Sequence, residues 1–574
     1  MKKRVLLVLL AVVLAVSLAG LPACKAEEEA PPVVEEEAPP VVEEEAPPVV
    51  EEEAPPEKLE LTPNPVTPGP PIYGGTMKYF QTVDPAGYDL HLMPSWGAMP
   101  VCPTFNNLIQ FNSEYQETSA ANLIGDLAES WEVSADGLTY TFKLRQGVTW
   151  HDGEAFDADD VVYSIEKMMV LPSRILGNFP SYKSVEKVDD YTVNISTDEV
   201  SAGFLLQLAG PYAVIQAEHL KGTDNKSTDF VVGTGPYMFS KYEAGKEWQL
   251  VRNPNYFKKD KDGNQLPYLD GLSIYIGGGS TDAFIAGRID MLTPSMSLPF
   301  AAMLVRLKAG APDAVYVPTV PGFGYLYFFN FNFEPFKDVR VRRAFALIMH
   351  AEDQAIAFTG DIELGEPGLY VFGQDWTIGK EEIAELIYEG MSYEERITEA
   401  QRLMEEADYA DGFEMRLVYQ AIAPGMASEA CTSVFADKLR RYLNIDVLLQ
   451  GITPAELYKR KASGDFDLMI HVPYALVPDA NAFMPLFYTG DPANFYGYSN
   501  PEVDALWDKQ ARELDPLKRL KIVQDIERLL IKDMPVLPGI FALGDIIMTS
   551  EVKNWRRTGM YGPGIKFEDV WLEK

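Results

Sequence analysis

Hydrophobic and polar positions alternate most regularly within residues 127–169. Apolar side chains occupy every second position of 138–145, and a shorter alternation precedes the Asp136-Gly137 pair. This pattern predicts a β-hairpin, because glycine readily adopts the positive φ that a tight turn between strands requires. Beyond a polar loop, Asp157 stands where a helix N-cap would, and apolar residues then recur at helical spacing. We therefore expect a hairpin followed by a capped helix.

Further along the chain, helix-like and strand-like segments alternate. A dense aromatic strand is predicted at 325–331, and an amphipathic helix follows from Val341 onwards. Additional helices are predicted at 395–407, 429–443, 500–513 and 515–532, and additional strands at 413–419, 445–449 and 464–470. This alternation favours an α/β architecture. With 574 residues, the chain is long enough for two or three domains rather than one hydrophobic core.

The first 23 residues have the pattern of a bacterial export signal. A basic end at 2–4 precedes an apolar run at 5–19, which is shorter than the about 20 residues that a membrane-spanning helix needs. Residues 21–24, LPAC, look like a lipobox, in which the signal is cut before the cysteine and the thiol is acylated. We therefore expect a signal peptide at 1–23 and lipid attachment at Cys24. A plain secretory signal and an uncleaved anchor are the alternatives, and each places the body outside the cytoplasm.

Residues 24–71 have the composition of an extended tether. An EEEAPPVV unit begins at Glu27 and recurs twice, followed by a variant at Glu51. Glutamate blocks repel one another and proline pairs favour polyproline II, so this segment is not expected to bury a core. We predict that it holds a folded body, beginning near Ile72, away from the membrane surface.

Composition and short motifs exclude several classes of function. A formal net charge of -36 argues against nucleic-acid binding, because phosphates would be repelled. With three cysteines and no CxxC or Cys/His cluster, neither a disulfide framework nor a metal site is predicted. Cys102 and Cys431 either form one bridge or, as their separation favours, stay two buried thiols. No HExxH, GxSxG or Walker-type motif is present, so neither catalysis nor a cofactor is predicted.

Several motifs together resemble one known family. Segment 127–169, the turn 233–237 (GTGPY), the strand and loop 251–256 (VRNPNY) and the strand start 464–467 (GDFD) occur in the order found in family 5 bacterial extracellular solute-binding proteins. That family includes the dipeptide, oligopeptide and nickel receptors of ABC importers, and the resemblance extends over nearly all of 72–574. It implies an α/β, two-lobed periplasmic-binding-protein-like fold of the large type 2 kind, with an extra subdomain in lobe 1.

The resemblance also implies domain boundaries. The chain is expected to cross between lobes near Asn330 and near Pro535. The expected parts are lobe 1 at 72–329, with the inserted subdomain at about 101–230, lobe 2 at 330–535, and a return to lobe 1 at 536–574.

The function that the resemblance implies is that of a membrane-tethered receptor and not of an enzyme. A small solute, either a peptide or another polar organic molecule, would be captured between the lobes and delivered to the permease subunits of an ABC transporter. The protein would act as a monomer on the outer face of the cell membrane or in the periplasm. An oligosaccharide (sugar) receptor of the same fold and an extracellular hydrolase are the alternatives.

Six residues are predicted to line the ligand site. Such sites combine aromatic faces with a few polar anchors and tend to lie between domains. On that basis, and on the positions that the family places at the lobe interface, the predicted ligand-binding residues are Trp96, Tyr325, Tyr474, Asp479, Asn481 and Tyr496.

One position departs from the peptide-binding members of the family. Those members carry an Asp that pairs with the free α-amino group of the peptide. The resemblance places Ala475 at that position, and Asp479 lies three or four residues too late. An unpaired buried ammonium is costly. Either Asp479 substitutes for the missing carboxylate, or the ligand is not an ordinary peptide with a free amino terminus. Sugars and other polar organic molecules remain alternative ligands, and a nickel ligand is less favoured.

Overall fold

The computed structural model describes most of the chain beyond residue 60. The described residues are 61–64, 67, 69–81, 84–92, 96–116, 119–170, 173, 179–277, 280–292, 300–317, 324–359, 365–368, 376–421, 427–472, 479–542, 546–556 and 566–574. The predicted signal peptide, Cys24 and most of the predicted tether lie outside these residues. Residues 57–574 form one unit of contacts, and the fold described below lies within it.

Up to residue 317 the chain is rich in strands. These strands are β1 (Thr76–Gln81), β2 (Ile109–Phe111), β3 (Leu123–Gly125), β4 (Ala128–Val133), β5 (Thr139–Leu144), β6 (Tyr182–Asp189), β7 (Thr192–Thr197), β8 (Tyr237–Glu243), β9 (Glu247–Arg252), β10 (Gly271–Ile276), β11 (Met291–Leu292) and β12 (Val315–Val317). The helices are α1 (Ala158–Met168), α2 (Phe204–Leu208), α3 (Ser280–Ile285) and α4 (Phe300–Gly310), and a 3₁₀ helix spans Trp96–Thr104.

From residue 324 to residue 542 helices and strands alternate, as predicted. The strands are β13 (Gly324–Phe329), β14 (Gly365–Gly368), β15 (Glu414–Gln420), β16 (Asp446–Ile452), β17 (Leu468–His471) and β18 (Val536–Ala542). The helices are α5 (Val339–Ile348), α6 (Ala351–Thr359), α7 (Lys380–Tyr388), α8 (Tyr393–Glu406), α9 (Ala427–Leu443), α10 (Pro454–Ser463), α11 (Ala480–Phe483), α12 (Pro501–Arg512) and α13 (Pro516–Asp533). Three short strands follow, β19 (Ile546–Met548), β20 (Val552–Lys553) and β21 (Trp571–Leu572).

The hairpin and the capped helix predicted at 127–169 are both present. β4 and β5 pair antiparallel, and Gly137 in the turn between them has a φ of 73°. At the start of α1, the Asp157 side chain accepts a hydrogen bond from the first turn, and the Asp160 side chain accepts one from the Asp157 N–H. This capping box satisfies backbone donors that have no partner inside the helix.

Two large sheets organise the fold. Sheet A has the strand order β12-β19-β11-β1-β10-β9-β8, and sheet B has the order β14-β18-β13-β17-β15-β16. A four-stranded antiparallel sheet, in the order β4-β5-β7-β6, and the β2-β3 pair lie within the region predicted as an inserted subdomain.

Sheet A has an apolar cluster on each face. Phe80 belongs to the cluster that extends from sheet B, whereas Tyr79 belongs to the cluster that includes Phe142 of the four-stranded sheet. These two adjacent residues of β1 belong to different clusters because successive side chains of a strand point to opposite faces of the sheet. Sheet A is therefore the layer against which both the four-stranded sheet and the sheet B region pack.

The chain changes sheet twice. β12 belongs to sheet A and β13 to sheet B, while β18 belongs to sheet B and β19 to sheet A. The changes therefore fall within 317–324 and 542–546, each one strand away from the expected crossings near Asn330 and Pro535. The lobe boundaries near Asn330 and Pro535 stay a prediction, since apolar strands such as β13 and β18 suit a buried position in either sheet.

The two described cysteines are separate. Cys102 is buried in the cluster around the four-stranded sheet, and Cys431 is buried in the cluster of sheet B. No disulfide joins them. The expectation of two separate buried thiols is confirmed.

Candidate functional site

Several strand ends meet at one edge of sheet B, which we call the crossover edge. β15 runs parallel to β16, with Gln420 opposite Ile452, and parallel to β17, which ends at His471. β13 begins at this edge, since Leu326 lies opposite His471, and β18 ends here. Both connections to sheet A thus leave from the crossover edge. Ligands of open α/β sheets bind beyond the carboxyl ends of parallel strands, which makes this edge the candidate site.

Tyr325 lies at the crossover edge, but its ring is packed inward, and its assignment as a ligand-binding residue stays a prediction. The residue is 7% exposed, and its ring meets Phe358 edge to face with 5.4 Å between centroids. Burial raises the pKa of Tyr325 to about 12, and the hydroxyl forms a hydrogen bond with Ser428. The Ser428 hydroxyl also donates to the carbonyl of Gln420 at 2.9 Å. The phenol is therefore neutral and is held against the ends of neighbouring elements.

Beside the end of β17, a lysine and a histidine form a pair that the sequence had not indicated. Lys461 Nζ, in the last turn of α10, lies 3.1 Å from His471 Nε2 and 4.4 Å from the centre of the Phe495 ring. Burial, followed by the charge of Lys461, lowers the pKa of His471 to about 3, and burial lowers the pKa of Lys461 to about 8. A lysine ammonium can only donate, so the neutral imidazole accepts through Nε2.

Asp479 is committed to a buried ion pair. Its carboxylate is fully buried, and its oxygens accept hydrogen bonds from Arg519 Nη1 at 2.7 Å and Nη2 at 2.9 Å. One oxygen also accepts from the Asn481 N–H, which makes Asp479 the N-cap of α11. The Arg519 guanidinium lies 4.7 Å from the centre of the Trp376 ring. Both carboxylate oxygens thus accept hydrogen bonds from the guanidinium, and the alternative in which Asp479 replaces the missing amine-pairing carboxylate stays a prediction.

Asn481 extends the same network instead of presenting a free amide. Its Oδ1 accepts from Gln510 Nε2 at 2.7 Å, and Gln510 Oε1 accepts from Arg519 Nε at 3.1 Å. On its other side, Asn481 faces Gly203, where an added Cβ would lie 2.5 Å from Asn481 Nδ2. Asn481 therefore belongs to a contact between the start of α2 and the α11–α12 region.

That contact includes two further interactions between the same segments. The Ala202 N–H donates to the Ala511 carbonyl at 2.9 Å. Glu199 and Arg512 form an ion pair at 2.7 Å, with side chains about half exposed. The region of the four-stranded sheet thus touches the sheet B helices directly through the backbone.

Tyr496 is a core residue. It is fully buried, and its ring lies 5.2 Å from that of Phe328 and 5.4 Å from that of Phe495, measured between centroids. Burial raises the pKa of its hydroxyl well above the ordinary value. Packing against sheet B accounts for the position of Tyr496, and its assignment as a ligand-binding residue stays a prediction.

Two predicted site residues are not placed by the structure. Tyr474 falls in 473–478, outside the described residues. The backbone of Trp96 begins the 3₁₀ helix, but its side chain is also outside the described part of the chain. Their assignment as ligand-binding residues stays a prediction.

The described residues were also searched for metal-binding groups and membrane spans. They contain no group of three or more His, Cys, Asp or Glu side chains placed to hold a metal ion. None of the helices in the described ranges has the length and the apolar character needed to cross a membrane.

Comparison with known sequences identifies relatives over most of the chain. The model of the middle region of bacterial extracellular solute-binding proteins, family 5, matches residues 122–495. Di/tripeptide-binding protein 1 of Pseudomonas aeruginosa is 28% identical over 473 residues, covering 76% of this chain and 82% of that protein. Heme-binding protein A of Haemophilus influenzae is 27% identical over 493 residues, covering 79% of this chain and 84% of that protein.

Comparison with solved structures agrees on the fold. The ABC transporter substrate binding protein CtaP from Listeria monocytogenes matches with a TM-score of 0.72 at 21% identity, covering 88% of this chain and 100% of that chain. The periplasmic binding protein DppA from Helicobacter pylori, in complex with the peptide STSA, matches with a TM-score of 0.68 at 21% identity, covering 88% and 99%. The expected two-lobed periplasmic-binding-protein fold is confirmed.

Proposed function

The chain belongs to the family 5 bacterial extracellular solute-binding proteins, and from this premise we propose that it captures a small polar solute between two lobes and delivers it to the permease of an ABC transporter. Members of this family are transport receptors and not enzymes. We further propose that the solute is a peptide or another polar organic molecule that does not depend on a free α-amino group paired by a carboxylate.

One observation supports this choice of solute. Asp479 is the only carboxylate within residues 468–481 of the sequence, and Arg519 holds it in a fully buried pair. An ammonium placed next to this segment would lack the ionic partner that offsets its desolvation. The names of relatives fit a broad choice of solute, since they include di/tripeptide-binding and heme-binding proteins.

The amino-terminal region supports a membrane-tethered receptor. We propose that Cys24 carries a lipid and that residues 25–71 hold the two-lobed body on the outer face of the cell membrane as a monomer. An extended Pro-rich segment of this length reaches on the order of 100 Å. Cys24→Ser should therefore release the protein from membranes, and unchanged partitioning into the lipid fraction would contradict this part of the proposal.

Closure of the lobes is the proposed mechanism of capture. A ligand shifts an open–closed equilibrium only if it binds the closed form more tightly than the open form. The two crossings between the lobes, predicted near Asn330 and Pro535, would form the hinge of such a movement. The contact between Gly203 and Asn481 lies between parts that closure would bring together.

The experiment that tests the proposal is mass spectrometry of solutes released by denaturing the natively purified protein. A single small molecule should be released in roughly equal amount to the protein. Added back at about a hundred times its dissociation constant, it should raise the free energy of unfolding by about 2.7 kcal/mol. An oligosaccharide in this fraction would select the sugar-receptor alternative. If no released solute and none of a broad panel of peptides, sugars and organic acids raised the melting temperature, the proposal would fail.

A further inference from the structure

The Lys461 ammonium has no ionic partner among the described residues, unlike several other partly buried lysines. Each of several buried or half-buried lysines is matched with an aspartate, namely Lys167 with Asp89 at 2.6 Å, Lys258 with Asp126 at 2.6 Å, Lys438 with Asp353 at 2.7 Å and Lys566 with Asp126 at 2.5 Å. Among the described residues, Lys461 Nζ contacts the neutral His471 and the face of Phe495, and it lies 5.9 Å from the centre of the Tyr458 ring. No carboxylate of the described residues lies within 4.0 Å of its Nζ.

The carboxylates near α10 are engaged with other cations. Glu456 lies 3.4 Å from Arg460 and 3.7 Å from Lys459. Asp465 and Asp467 both pair with Arg416, and Asp467 also accepts from the Arg416 N–H at 2.7 Å. The stretch 472–478, VPYALVP, contains no carboxylate at all. Local rearrangement of side chains therefore offers Lys461 no acid that is not already paired.

The position of Lys461 links it to the candidate site. His471 is the last residue of β17, at the crossover edge, and Lys461 is partly exposed beside it. The segment that follows β17 is the one in which peptide-binding relatives are expected to place a free carboxylate. In this chain the carboxylate there is neutralised by Arg519, and an unpaired ammonium stands at the start of the segment. The local charge is thus the reverse of what a receptor for free amines needs.

The surroundings of Lys461 suit an anion. Phe495 and Phe328 lie on the same side of His471, with centroid distances of 6.4 Å and 6.2 Å, and the Phe495 ring, 4.4 Å from Nζ, shields one side of the ammonium from water. Coulombic attraction grows as the effective dielectric constant falls, and hydrogen bonds to a charged donor are shorter and stronger than neutral ones. His471 orients the ammonium by accepting one of its three N–H bonds, which leaves two donors for a ligand.

We propose that Lys461, oriented by His471 and Phe495, binds a carboxylate or another anionic group of the transported solute. This inference rests on the proposed function and deepens it, because it assigns the solute to the organic acids and acid-bearing peptides. Recognition through an anion requires a carboxylate on the ligand and tolerates a blocked amino group.

A purely structural role for Lys461 makes a different prediction. A cation in the last turn of a helix interacts favourably with the helix dipole, and an ammonium over an aromatic ring gains a cation–π interaction. Both effects would change the stability of the unliganded protein when the charge is removed. Neither would make the affinity for a solute depend on whether the solute carries a carboxylate.

The test compares Lys461→Met with Lys459→Met in the full-length protein. Methionine keeps the apolar stem over Phe495, and Lys459 is an exposed lysine on the same helix whose side chain is 76% accessible. The probes are dialanine, N-acetyl-dialanine, dialanine amide, succinate and glutarate, together with the solute released from the wild type and its carboxyl-methyl ester. Binding is measured by calorimetric titration.

Each probe that binds the wild type through a free carboxylate should bind Lys459→Met with the same affinity. N-acetylation of such a probe should change its affinity little. Lys461→Met should bind the acid at least about tenfold more weakly, while the ester or amide should bind both proteins alike, because only the charged contact is lost. Equal affinity of the two variants for the acid would overturn the inference, as would a released solute that has no anionic group. In both of those cases the proposed function would stand. If no probe and no released solute bound the wild type, the proposed function would fail, and this inference with it.

Discussion

Removing the Arg519 guanidinium is the perturbation for which the structure gives the clearest magnitude. Arg519 and Asp479 have side chains that are 4% and 0% exposed, and they share two hydrogen bonds at 2.7 and 2.9 Å. In Arg519→Met the Asp479 carboxylate would be left charged and buried without a partner. Breaking such a pair from one side typically costs about 3–5 kcal/mol.

The loss also reaches the neighbours of the pair. Gln510 would lose the donor that holds its amide, and Trp376 would lose the cation over its ring. For the unit formed by residues 57–574, with an unfolding entropy of about 2.1 cal/mol/K per residue, a loss of about 3–5 kcal/mol lowers the melting temperature by roughly 3–5 °C. Asp479→Asn in the same background removes the stranded charge, so the double variant should recover a large part of the stability.

The assay is thermal and urea unfolding of four proteins, the wild type, Arg519→Met, Asp479→Asn and the double variant. These form a double-mutant cycle, which isolates the pairwise coupling. Arg512→Met is the matched control, because Arg512 forms an ion pair with Glu199 at 2.7 Å but is about half exposed. Its loss should cost no more than about 1 kcal/mol. If Arg519→Met were no more destabilising than the control, or if the double variant were as unstable as the sum of the singles, the assignment of Asp479 to a buried structural pair would be refuted.

Three further predictions concern other parts of the fold. Burial raises the pKa of the fully buried Glu527 from 4.5 to about 7. The stability that this residue contributes is therefore complete below about pH 4.5 and is lost as the pH rises through about 7. Glu527→Gln should reduce this loss of unfolding free energy by about 3 kcal/mol, and identical pH profiles of the two proteins would contradict the prediction. Gly203→Ala would place a Cβ 2.5 Å from the Asn481 amide nitrogen. The variant should lower the free energy of unfolding by about 1–3 kcal/mol and increase the radius of gyration measured by small-angle scattering. An unchanged melting temperature and radius of gyration would show that this contact is loosely packed. Burial raises the pKa of Cys102 to about 12 and that of Cys431 further. A thiol reagent should therefore leave both cysteines unmodified in the native Cys24→Ser protein and label both after unfolding without reductant. Rapid labelling of the native protein would contradict their burial.

Local structure was predictable where the residues of one segment determine it without contacts from the rest of the chain. The alternation across Asp136-Gly137 determines a hairpin because the pattern and the turn residue agree, and Asp157 with Asp160 caps α1 without help from distant residues. The alternation of helices and strands after residue 324 was predictable for the same reason. Each of these elements depends on periodicity and on neighbours within a few positions.

Assignments that depend on distant contacts were not predictable. Nothing near Asp479 in the sequence shows that Arg519, forty residues away, will hold its carboxylate. An aromatic residue such as Tyr496 gives the same sequence signal in a core as in a binding site, and its packing against Phe328 and Phe495 is visible only in the folded structure. Lys461 was overlooked because a lysine in the last turn of a helix is ordinary, and its lack of an acidic partner is visible only in three dimensions.

The affinity of one solute for three proteins tests the central claim most directly. The solute released from the wild type is titrated into the wild type, Asp479→Asn and Lys461→Met. The account predicts that Asp479→Asn binds within about twofold of the wild type and that Lys461→Met binds at least about tenfold more weakly, in line with a charged contact made by Lys461 alone. The opposite pattern, with affinity lost in Asp479→Asn and kept in Lys461→Met, would contradict it and would restore Asp479 as the partner of a ligand amine.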